Sequence, residues 1–206
     1  MITIIDYGLG NLGSVKNALD KLGVISLVSS SEADVRNASG LILPGVGAAG
    51  EGMKNLKSRK LDTCIKEEAG KGKPILGICL GMQLLMSKSE EGNVDCLNSI
   101  EGQVKKFDIK LKVPQIGWNT VRTKKGVKLF AGITQNSYFY FVHSYYCFSV
   151  NKNTGIGETE YGAKFCSAFQ SDNIFGVQFH PEKSGDNGLF LLKNFNEIVY
   201  ENNTGD

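Results

Sequence analysis

The stretch Pro74-Ile-Leu-Gly-Ile-Cys-Leu-Gly-Met-Gln-Leu-Leu-Met86 decides the fold of this chain. Its apolar start, Pro74–Ile78, predicts a buried strand, and a helix is predicted from Gly81 to about Lys88. Between them lies Gly77-Ile-Cys-Leu-Gly81. A sharp strand-to-helix turn requires glycine two residues either side of its central residue, because a Cβ there would collide with the neighbouring strand or helix. The turn therefore predicts that Cys79 projects above a sheet as a nucleophile.

Strand and helix signals alternate through the first half of the chain. Short apolar runs at Ile2–Asp6, Val24–Val28 and Gly40–Leu43 predict strands. Amphipathic or polar segments at Leu12–Leu22 and Met53–Gly70 predict helices. Short apolar strands that alternate with helices are typical of parallel βαβ units with helices on both faces of the sheet. The first half therefore predicts an α/β fold.

The second half is richer in strand signals. Five segments predict strands: Val113–Arg122, Ser137–Val142, Tyr145–Val150, Ala163–Gln170 and Ile174–Phe179. Turns are predicted at Asn151–Gly155 and Ser171–Asn173, and the second turn joins the last two strands as a hairpin. Gly188–Tyr200 is predicted to be a closing amphipathic helix, followed by a frayed polar tail over about 201–206. No repeat or linker divides the sequence, so residues 1–206 are predicted to form a single domain.

Composition and charge argue against several classes of protein. A net charge of +2 is too small to predict nucleic acid or an anionic membrane surface as a partner. No segment approaches the ~18–20 apolar residues of a membrane span, and no signal peptide precedes the first strand. The five cysteines are odd in number and far apart, which favours reduced thiols in a cytoplasmic protein. Without a Cys-x-x-Cys pair, no metal site is expected.

Cys79 has the surroundings of a reactive thiol. At the first turn of a helix it lies at the positive end of the helix dipole, which favours the thiolate. The N–H of Leu80 is expected to point to where an oxyanion would form. The alternative is a buried structural cysteine, because free cysteines are among the most buried residues. The two flanking glycines favour the nucleophile.

A thiol nucleophile requires a base, and the chain contains only His143 and His180. His180 follows a predicted strand in Gly176-Val-Gln-Phe-His-Pro-Glu182. Residues two apart in an extended segment project to the same side, and the intervening proline is expected to keep the chain extended. Glu182 is therefore predicted to hold one ring nitrogen of His180 while the other faces Cys79. An incidental histidine–carboxylate pair is the alternative, and His143, among aromatic residues, is predicted to have a positioning or core role.

Seven segments spread over nearly the whole chain carry a family resemblance. They are Ile5-Asp-Tyr-Gly8, Gly10-Asn-Leu12, Pro44-Gly-Val-Gly47, Gly77-Ile-Cys-Leu-Gly-Met-Gln83, Gly117-Trp-Asn119, Tyr140-Phe-Val-His-Ser-Tyr145 and Gly176-Val-Gln-Phe-His-Pro-Glu-Lys-Ser184. Together they resemble the class I (triad-type) glutamine amidotransferases, and most closely the glutaminase subunits of imidazole glycerol phosphate synthases. The resemblance implies a flavodoxin-like three-layer fold with a central, mostly parallel sheet and added antiparallel strands.

The resemblance implies the hydrolysis of L-glutamine. Cys79 would attack the side-chain amide, ammonia would leave a γ-glutamyl thioester, and water activated by His180 would release glutamate. The binding groups that the resemblance implies are the backbone N–H groups of Val46, Gly47 and Leu80 for the oxyanion, Gln83 for glutamine, and the backbone of His143, Ser144 and Tyr145 for the ends of the substrate. It implies no cofactor.

The resemblance also implies a partner. In such heterodimers ammonia passes through a tunnel into a (β/α)8-barrel cyclase, which makes imidazole glycerol phosphate and AICAR in histidine biosynthesis. Glutaminase activity is then expected to depend on the partner and its ligand. Asn11, Trp118, Asn119 and Lys183 resemble residues at the docking face. For Trp118, the only tryptophan, a core position is the alternative, and an exposed position at an interface would suit its large surface.

Three positions depart from the family pattern. Gln115 replaces the histidine of the usual Pro-His pair, Ala49 replaces a phenylalanine, and Gly92–Ser99 lacks the usual Gly-Leu-Gly. None belongs to the triad, so the predicted chemistry is unaffected. The departures leave open a second destination for ammonia, namely an amidotransferase that acts on surface-polysaccharide sugars.

Two functions of other classes also stay open. Gly8-Leu-Gly-Asn-Leu-Gly13 matches the pattern of dinucleotide-binding loops, with Glu32 about 20 residues further on. However, Asp6 would face the pyrophosphate, and Glu32 lies past the second predicted strand, so a glycine-rich turn or docking loop is the simpler interpretation. The other function is that of a cysteine hydrolase or peptidase with the same triad. The order of Cys79, His180 and Glu182 favours the glutaminase.

Overall fold

The computed structural model describes residues 1–148 and 153–204. Its strands are β1 (Ile2–Ile5), β2 (Ser26–Ser29), β3 (Gly40–Leu43), β4 (Ile75–Ile78), β5 (Met86–Ser89), β6 (Val94–Asp95), β7 (Ile100–Lys106), β8 (Gln115–Thr123), β9 (Ser137–His143), β10 (Tyr145–Phe148), β11 (Gly155–Glu160), β12 (Lys164–Ser171) and β13 (Ile174–Val177). Its helices are α1 (Leu12–Lys21), α2 (Glu32–Asn37), α3 (Ala49–Ser58), α4 (Leu61–Gly70), α5 (Leu80–Leu84) and α6 (Gly185–Thr204). Short 3-10 helices cover Glu91–Asn93, Lys128–Phe130 and Pro181–Lys183.

Parallel strands form one side of the sheet, in the order β2-β1-β3-β4-β13. The parallel pattern predicted for the first half is confirmed, and β13 joins it from the far end of the chain, with Ile174 opposite Ile75. The carboxyl ends of parallel neighbours lie at the same edge of a sheet. The residues that follow β4 and β13, among them Cys79 and His180, are therefore brought together.

The rest of the sheet is largely antiparallel. β12 runs antiparallel to β13, as the predicted hairpin requires, and the path continues through β10, β7, β5 and β6. A branch leaves β12 through β11 to β8 and β9. The sheet is thus mixed, with a larger antiparallel share than the sequence predicted, because strands such as β7 and β11 were not predicted and join it.

Helices cover both faces of the parallel strands. Ile4 and Ile42 point into the core beneath α1 and α6, whereas Ile5 and Leu43 point into the core beneath α3, α4 and α5. This alternation follows from the two-residue period of a strand. The three predicted layers, helix, sheet and helix, are present.

The helix after Cys79 is shorter than predicted. It ends at Leu84, and the chain then enters β5, so the prediction of a helix up to Lys88 is wrong. The carbonyl of Leu84 accepts the N–H of Leu97 at 2.8 Å. A longer helix would need that carbonyl for its own next turn, whereas the observed chain uses it to begin pairing with the segment that leads to β7.

Other boundaries also differ from the sequence prediction. The segment Met53–Gly70 is interrupted at Lys60, where a φ of 58° separates α3 from α4. The fraying predicted from residue 201 is wrong over 201–204, because α6 continues to Thr204 and Asn203 Nδ2 donates to the Ser39 carbonyl at 3.2 Å. The end of the strand predicted to Val150 and the start of the turn after it lie outside the described residues. Within the described ranges, no helix combines the length and apolar character that spanning a membrane requires.

Candidate active site

Cys79 lies at the turn between β4 and α5, as predicted, with a φ of 53° and a ψ of −108°. A Cβ on Gly81 would lie 1.7 Å from the Leu43 carbonyl oxygen, and one on Gly77 would lie 2.7 Å from the Met82 nitrogen. Both distances are far below van der Waals contact, so only glycine fits at either position. The sterically enforced turn holds Cys79 at the edge of the sheet.

A cavity of about 310 Å³ lies above Cys79. Its lining contains Val46, Gly47, Leu80, Gln83, His143, Ser144, Tyr145, His180 and Lys183, all predicted from the sequence, and Glu91, Pro114 and Val142, which were not. A larger groove of about 650 Å³ runs between Arg122 and Lys164. Both histidines of the chain line the smaller cavity, so a thiol and its base meet only there.

His180 joins Cys79 and Glu182. Its Nδ1 lies 2.8 Å from Glu182 Oε1, and both side chains are buried. Its imidazole lies within hydrogen-bonding reach of the Cys79 side chain. Burial alone would lower the pKa of His180, but the hydrogen bonds to Cys79 and Glu182 outweigh it and raise that pKa above its ordinary value. The arrangement therefore favours the imidazolium form of His180.

The backbone around His180 differs from the extended chain that was predicted. His180 itself is extended, but Pro181–Lys183 forms a 3-10 turn that brings the Glu182 side chain back to the imidazole. The His180 N–H donates to the Tyr140 carbonyl at 2.9 Å, and the Ser184 hydroxyl donates to the His180 carbonyl at 2.6 Å. The base is thus held by β9 on one side and by its own turn on the other.

The two carboxylate oxygens of Glu182 differ in their hydrogen bonding. Oε1 accepts from His180, whereas the buried Oε2 has no hydrogen-bond partner among residues 1–148 and 153–204. A buried carboxylate with one partner acts electrostatically on that partner almost alone. Glu182 is therefore suited to orienting and stabilising the imidazolium.

The backbone N–H groups predicted to bind the oxyanion are not in place as His180 and Glu182 are. The Leu80 N–H, predicted to be a donor to the oxyanion, donates instead to the Gly45 carbonyl at 3.4 Å. The Gly45–Val46 peptide is trans, since the single cis bond among the described residues joins Val113 to Pro114. A trans peptide directs its N–H opposite to its carbonyl, so the Val46 N–H points away from Leu80. Val46 and Leu80 therefore do not present their N–H groups to one point in this structure.

His143 is enclosed rather than poised as a base. Its Nδ1 lies 2.8 Å from the Tyr145 carbonyl and its Nε2 lies 3.0 Å from the Gln115 side-chain amide. Burial lowers the pKa of His143 to about 4, the hydrogen bond to Tyr145 opposes this shift, and the nearby His180 adds to it. Near neutral pH this imidazole is uncharged with both nitrogens occupied, which agrees with the predicted positioning role.

Two polar side chains at or next to the cavity, those of Gln178 and Glu91, were not predicted. Gln178 is fully buried with its Nε2 3.7 Å from Cys79 Sγ, and its Oε1 accepts from Gln83 Nε2 at 2.9 Å. It directly follows β13, and its contact with Sγ depends on the pairing of β13 with β4, so no local pattern marks it. Glu91 lines the cavity and accepts the Ala49 N–H at 2.7 Å. No local pattern marks Glu91, since only the fold brings it to α3.

The four predicted docking residues lie outside the catalytic centre or at its mouth. Trp118 is 55% exposed, which excludes the core position, and Lys183 is exposed where it lines the cavity. Asn11 caps α1 by accepting the Ser14 N–H at 3.3 Å. Asn119 differs from Trp118, because its side-chain amide faces β11 and donates to the Glu160 carbonyl at 2.9 Å.

The glycine-rich loop before α1 has the features of a packed turn. The Asp6 carboxylate accepts the Gly8 N–H at 2.9 Å, a group that a phosphate-binding loop would direct at its ligand. A Cβ on Gly10 would lie 3.5 Å from Pro44, so the loop packs against the segment that carries Val46. Glu32 begins α2 instead of ending β2. These contacts favour the structural interpretation over dinucleotide binding.

Comparison with known proteins agrees with this geometry. Residues 3–198 match the family model described as glutamine amidotransferase class-I. The chain is 50% identical over 199 residues to the imidazole glycerol phosphate synthase subunit HisH of Moorella thermoacetica, covering 96% of this chain and 95% of that protein. It is 46% identical over 200 residues to the subunit of the same name from Oceanobacillus iheyensis, covering 97% and 100% respectively.

Solved structures share the fold. A crystal structure described as a glutamine amidotransferase superimposes with a TM-score of 0.78 at 15% identity, covering 97% of this chain and 98% of that one. A glutamine amidotransferase from Thermotoga maritima superimposes with a TM-score of 0.65 at 17% identity, covering 100% and 85%. The predicted α/β fold of this class is therefore confirmed.

Proposed function

The chain belongs to the class I glutamine amidotransferase family, and from that premise we propose that it is the glutaminase subunit of an imidazole glycerol phosphate synthase, an enzyme of histidine biosynthesis. One observation carries the proposal. Cys79, at the steric turn, meets the His180–Glu182 pair in a cavity that contains Gln83 and the backbone of residues 143–145. The identity of 46% and 50% to synthase subunits, over nearly their full length, supports the proposed destination of the ammonia.

Catalysis begins with proton transfer from Cys79 Sγ to His180 Nε2. The thiolate attacks the side-chain carbonyl carbon of glutamine, and a tetrahedral oxyanion forms. The imidazolium then gives its proton to the leaving nitrogen, ammonia departs, and a γ-glutamyl thioester remains on Cys79. Glu182 stabilises the imidazolium through both proton transfers.

Hydrolysis of the thioester completes the cycle. His180 takes a proton from water, hydroxide adds to the thioester carbonyl, and collapse of the second oxyanion releases glutamate and the Cys79 thiolate. The sum of the two halves is glutamine and water converted into glutamate and ammonia. Gln83 and the backbone of residues 143–145 hold the substrate so that its amide carbon stays near Sγ.

The oxyanion donors require a rearrangement before they can act. Rotation of the Gly45–Val46 peptide would remove the Gly45 carbonyl from the Leu80 N–H and turn the Val46 N–H toward the substrate oxygen. A backbone donor at this place is worth about 10²–10³ in kcat. Low activity of the free chain and stimulation by a partner follow from the observed hydrogen bond.

The proposed partner is a (β/α)8-barrel cyclase, bound at an apolar patch formed by Ile116, Trp118 and Tyr138. These side chains are 61%, 55% and 58% exposed, and all three project from the same face of the β8–β9 pair. Ile116 is opposite Val142, which lines the catalytic cavity. A partner on the patch would therefore lie next to the place where ammonia is released. Exposed apolar patches of this kind are typical of docking sites.

The other destination, an amidotransferase for surface-polysaccharide sugars, is less well supported. The relatives at 46% and 50% identity carry the name of the synthase subunit and match over nearly their full length. The departures at Ala49, Gln115 and residues 92–99 do not prevent that match. The cytoplasmic location and the single domain inferred from the sequence remain parts of this proposal.

The proposal is tested with the chain co-purified with a barrel cyclase. We expect the complex to form imidazole glycerol phosphate from glutamine. Trp118→Ala should lower this rate, because the variant binds the cyclase more weakly. Formation from ammonium salt should need the cyclase alone. Tyr200→Ala, at a 70% exposed residue on α6, is the matched control and should bind normally. Glutamine hydrolysis without synthase activity in the complex would refute the destination but not the glutaminase.

A further inference from the structure

We propose that Gln178 is a further catalytic residue, whose side-chain amide donates a hydrogen bond to Cys79 Sγ and stabilises the attacking thiolate. Its Nε2 lies 3.7 Å from Sγ, within reach of an N–H···S hydrogen bond. The role lies within the thiol site and therefore rests on the proposed function. It adds a donor that neither the triad nor the oxyanion backbone contains.

The backbone holds Gln178 next to the nucleophile. The Cys79 N–H donates to the Val177 carbonyl at 2.8 Å, and the Gln178 N–H donates to the Ser167 carbonyl at 2.9 Å. The turn that carries Cys79 is thus hydrogen-bonded to Val177, and the next residue, Gln178, is hydrogen-bonded to β12. Gln178 is not among the residues that line the cavity, so it contacts Sγ from the protein side and stays in place when substrate enters.

The orientation of the Gln178 amide follows from its neighbours. Amide oxygen and nitrogen are nearly the same in shape, so hydrogen-bond partners must distinguish them. The Tyr145 carbonyl can only accept, and Gln83 Nε2 donates to it at 2.9 Å. The second hydrogen of Gln83 Nε2 requires an acceptor, which is Gln178 Oε1 at 2.9 Å. The Gln178 NH2 group is therefore the one that faces Sγ.

Two contacts of Sγ favour opposite protonation states. The Val142 carbonyl lies 3.7 Å from Sγ and can accept the single proton of the neutral thiol before that proton passes to His180. After the proton has moved to His180, that carbonyl faces a negative sulfur and repels it. The Gln178 N–H strengthens its bond at that moment, because a thiolate is a better acceptor than a thiol. Gln178 thus offsets the preference that Val142 gives to the thiol.

Other groups near Cys79 do not replace this donor. The titratable or charged groups around it are Tyr7, Glu91, His143, Tyr145, Cys147, His180, Glu182 and Lys183, and among the described residues only Gln178 donates to Sγ. The Tyr7 hydroxyl donates to the Pro44 carbonyl at 2.8 Å, and burial raises the pKa of both Tyr7 and Cys147, so both stay neutral. His180 takes the proton and Gln178 offers a fixed dipole, so their contributions are separable.

The test is the pH dependence of Cys79 alkylation by iodoacetamide in the full-length chain, followed by mass spectrometry of the Cys79 peptide. This reaction needs a thiolate but neither glutamine, a partner nor an oxyanion site. In Gln178→Leu we expect the inflection to move up by about one pH unit, which makes the reaction about tenfold slower below it. In Gln178→Glu we expect a larger shift, since a carboxylate replaces the donor beside sulfur.

The glutamate variant separates this role from a purely structural one, because its oxygen can still accept from Gln83. An unchanged inflection in Gln178→Glu, with a raised KM for glutamine in Gln178→Leu alone, would show that Gln178 only holds Gln83 and would overturn the proposal. Asn194→Leu is the control for loss of a buried amide, since Asn194 donates to the Leu129 and Ala131 carbonyls, away from the site, and the inflection should not move. An unreactive Cys79 in the wild type would overturn the proposed function itself.

Discussion

The nucleophile side and the oxyanion side of this active site differ in how completely they are formed. On the nucleophile side, His180 is already held by Glu182 at 2.8 Å and lies within hydrogen-bonding reach of Cys79. On the oxyanion side, the Gly45 carbonyl occupies the Leu80 N–H at 3.4 Å. The base is therefore in place next to the nucleophile, whereas the donors that would stabilise the intermediate are not.

The glycines around the two sides differ in how closely they are packed. At Gly81 even a Cβ would lie 1.7 Å from the Leu43 carbonyl, so the turn has no alternative position. At Gly47, with a φ of 101°, the nearest atom to an added Cβ would be 4.0 Å away. Gly45, which contributes the carbonyl of the peptide that must rotate, is also closely packed, since a Cβ there would lie 2.3 Å from the Tyr7 hydroxyl oxygen. Open space lies on the other side of Val46, at Gly47. Control by a partner is thus expected at the loop and not at the triad.

Removal of the nucleophile should have the largest effect. Cys79→Ala should lower kcat for glutamine hydrolysis in the complex by about 10⁴-fold or more, because no other thiol lines the cavity. Glutamate release measured with a coupled dehydrogenase checks this. Cys166→Ala, on β12 outside the cavity, is the control that should keep wild-type turnover. Appreciable hydrolysis by Cys79→Ala would show that the formed side of the site is not the reactive one.

Removal of the carboxylate should have the next largest effect. Glu182→Gln keeps the shape but not the charge that stabilises the imidazolium, and an amide can hold the imidazole in the wrong tautomer. We expect kcat to fall by about 10²–10⁴-fold with a small change in KM. Glu158→Gln, at an exposed ion pair with Arg122, should have no effect on either constant. A loss confined to KM would contradict the assignment of Glu182.

Removal of the Val46 donor tests the oxyanion side directly. Val46→Pro has no N–H at this position, so we expect the stimulation of glutamine hydrolysis by the partner to fall by about 10²–10³-fold. Alkylation of Cys79 by iodoacetamide should be unchanged, because it forms no oxyanion. Val46→Ala retains the N–H and should retain the stimulation. If Val46→Pro remained fully stimulated, the loop would not be the element that the partner controls.

The smallest expected effect concerns the contribution of His143 to the free energy of unfolding. The pKa of His143 in the folded protein is about 4, below the ~6.5 of an unfolded chain, so the unfolded state binds the proton first as pH falls. The contribution of neutral His143 is complete above pH ~6.5 and is lost as pH falls to about 4, by about 3 kcal/mol. Urea unfolding of wild type and His143→Gln between these pH values should show a shallower pH dependence in the variant. If the free energy of unfolding of both proteins depended on pH in the same way, the proton bound on unfolding would belong to a group other than His143.

Much of the fold could be predicted from local patterns. The strands β1, β3 and β4 are short apolar runs, the helix α1 has an apolar face, and the β12–β13 hairpin has a short turn, so each could be located from its own residues. The strands β7 and β11 could not. Their stability depends on neighbours that are distant in sequence, such as β10 for β7 and β12 for β11, and a pairing of that kind leaves little local signal.

The residues of the site also divide into those that local sequence patterns predicted and those that they did not. The turn around Cys79 and the spacing of His180 and Glu182 predicted a triad, and the structure places Glu182 Oε1 2.8 Å from His180 Nδ1, although by a 3-10 turn and not by an extended chain. Gln178 has an ordinary residue type and acquires its role only where β13 lies next to β4. Glu91 reaches the cavity from a segment without a recognisable motif.

The amino-acid sequence by itself determined that Cys79 lies at a strand-to-helix turn and that His180 precedes a carboxylate by two residues, because a glycine-flanked turn and this spacing are local features with local steric causes. Only the tertiary structure decided which way the Gly45–Val46 peptide points and which amide faces the thiol. Both depend on hydrogen bonds between residues far apart in the chain, from Leu80 to Gly45 and from Gln178 to Cys79 and Gln83. Such bonds form only after β4 and β13 are adjacent, so no short stretch of sequence contains them.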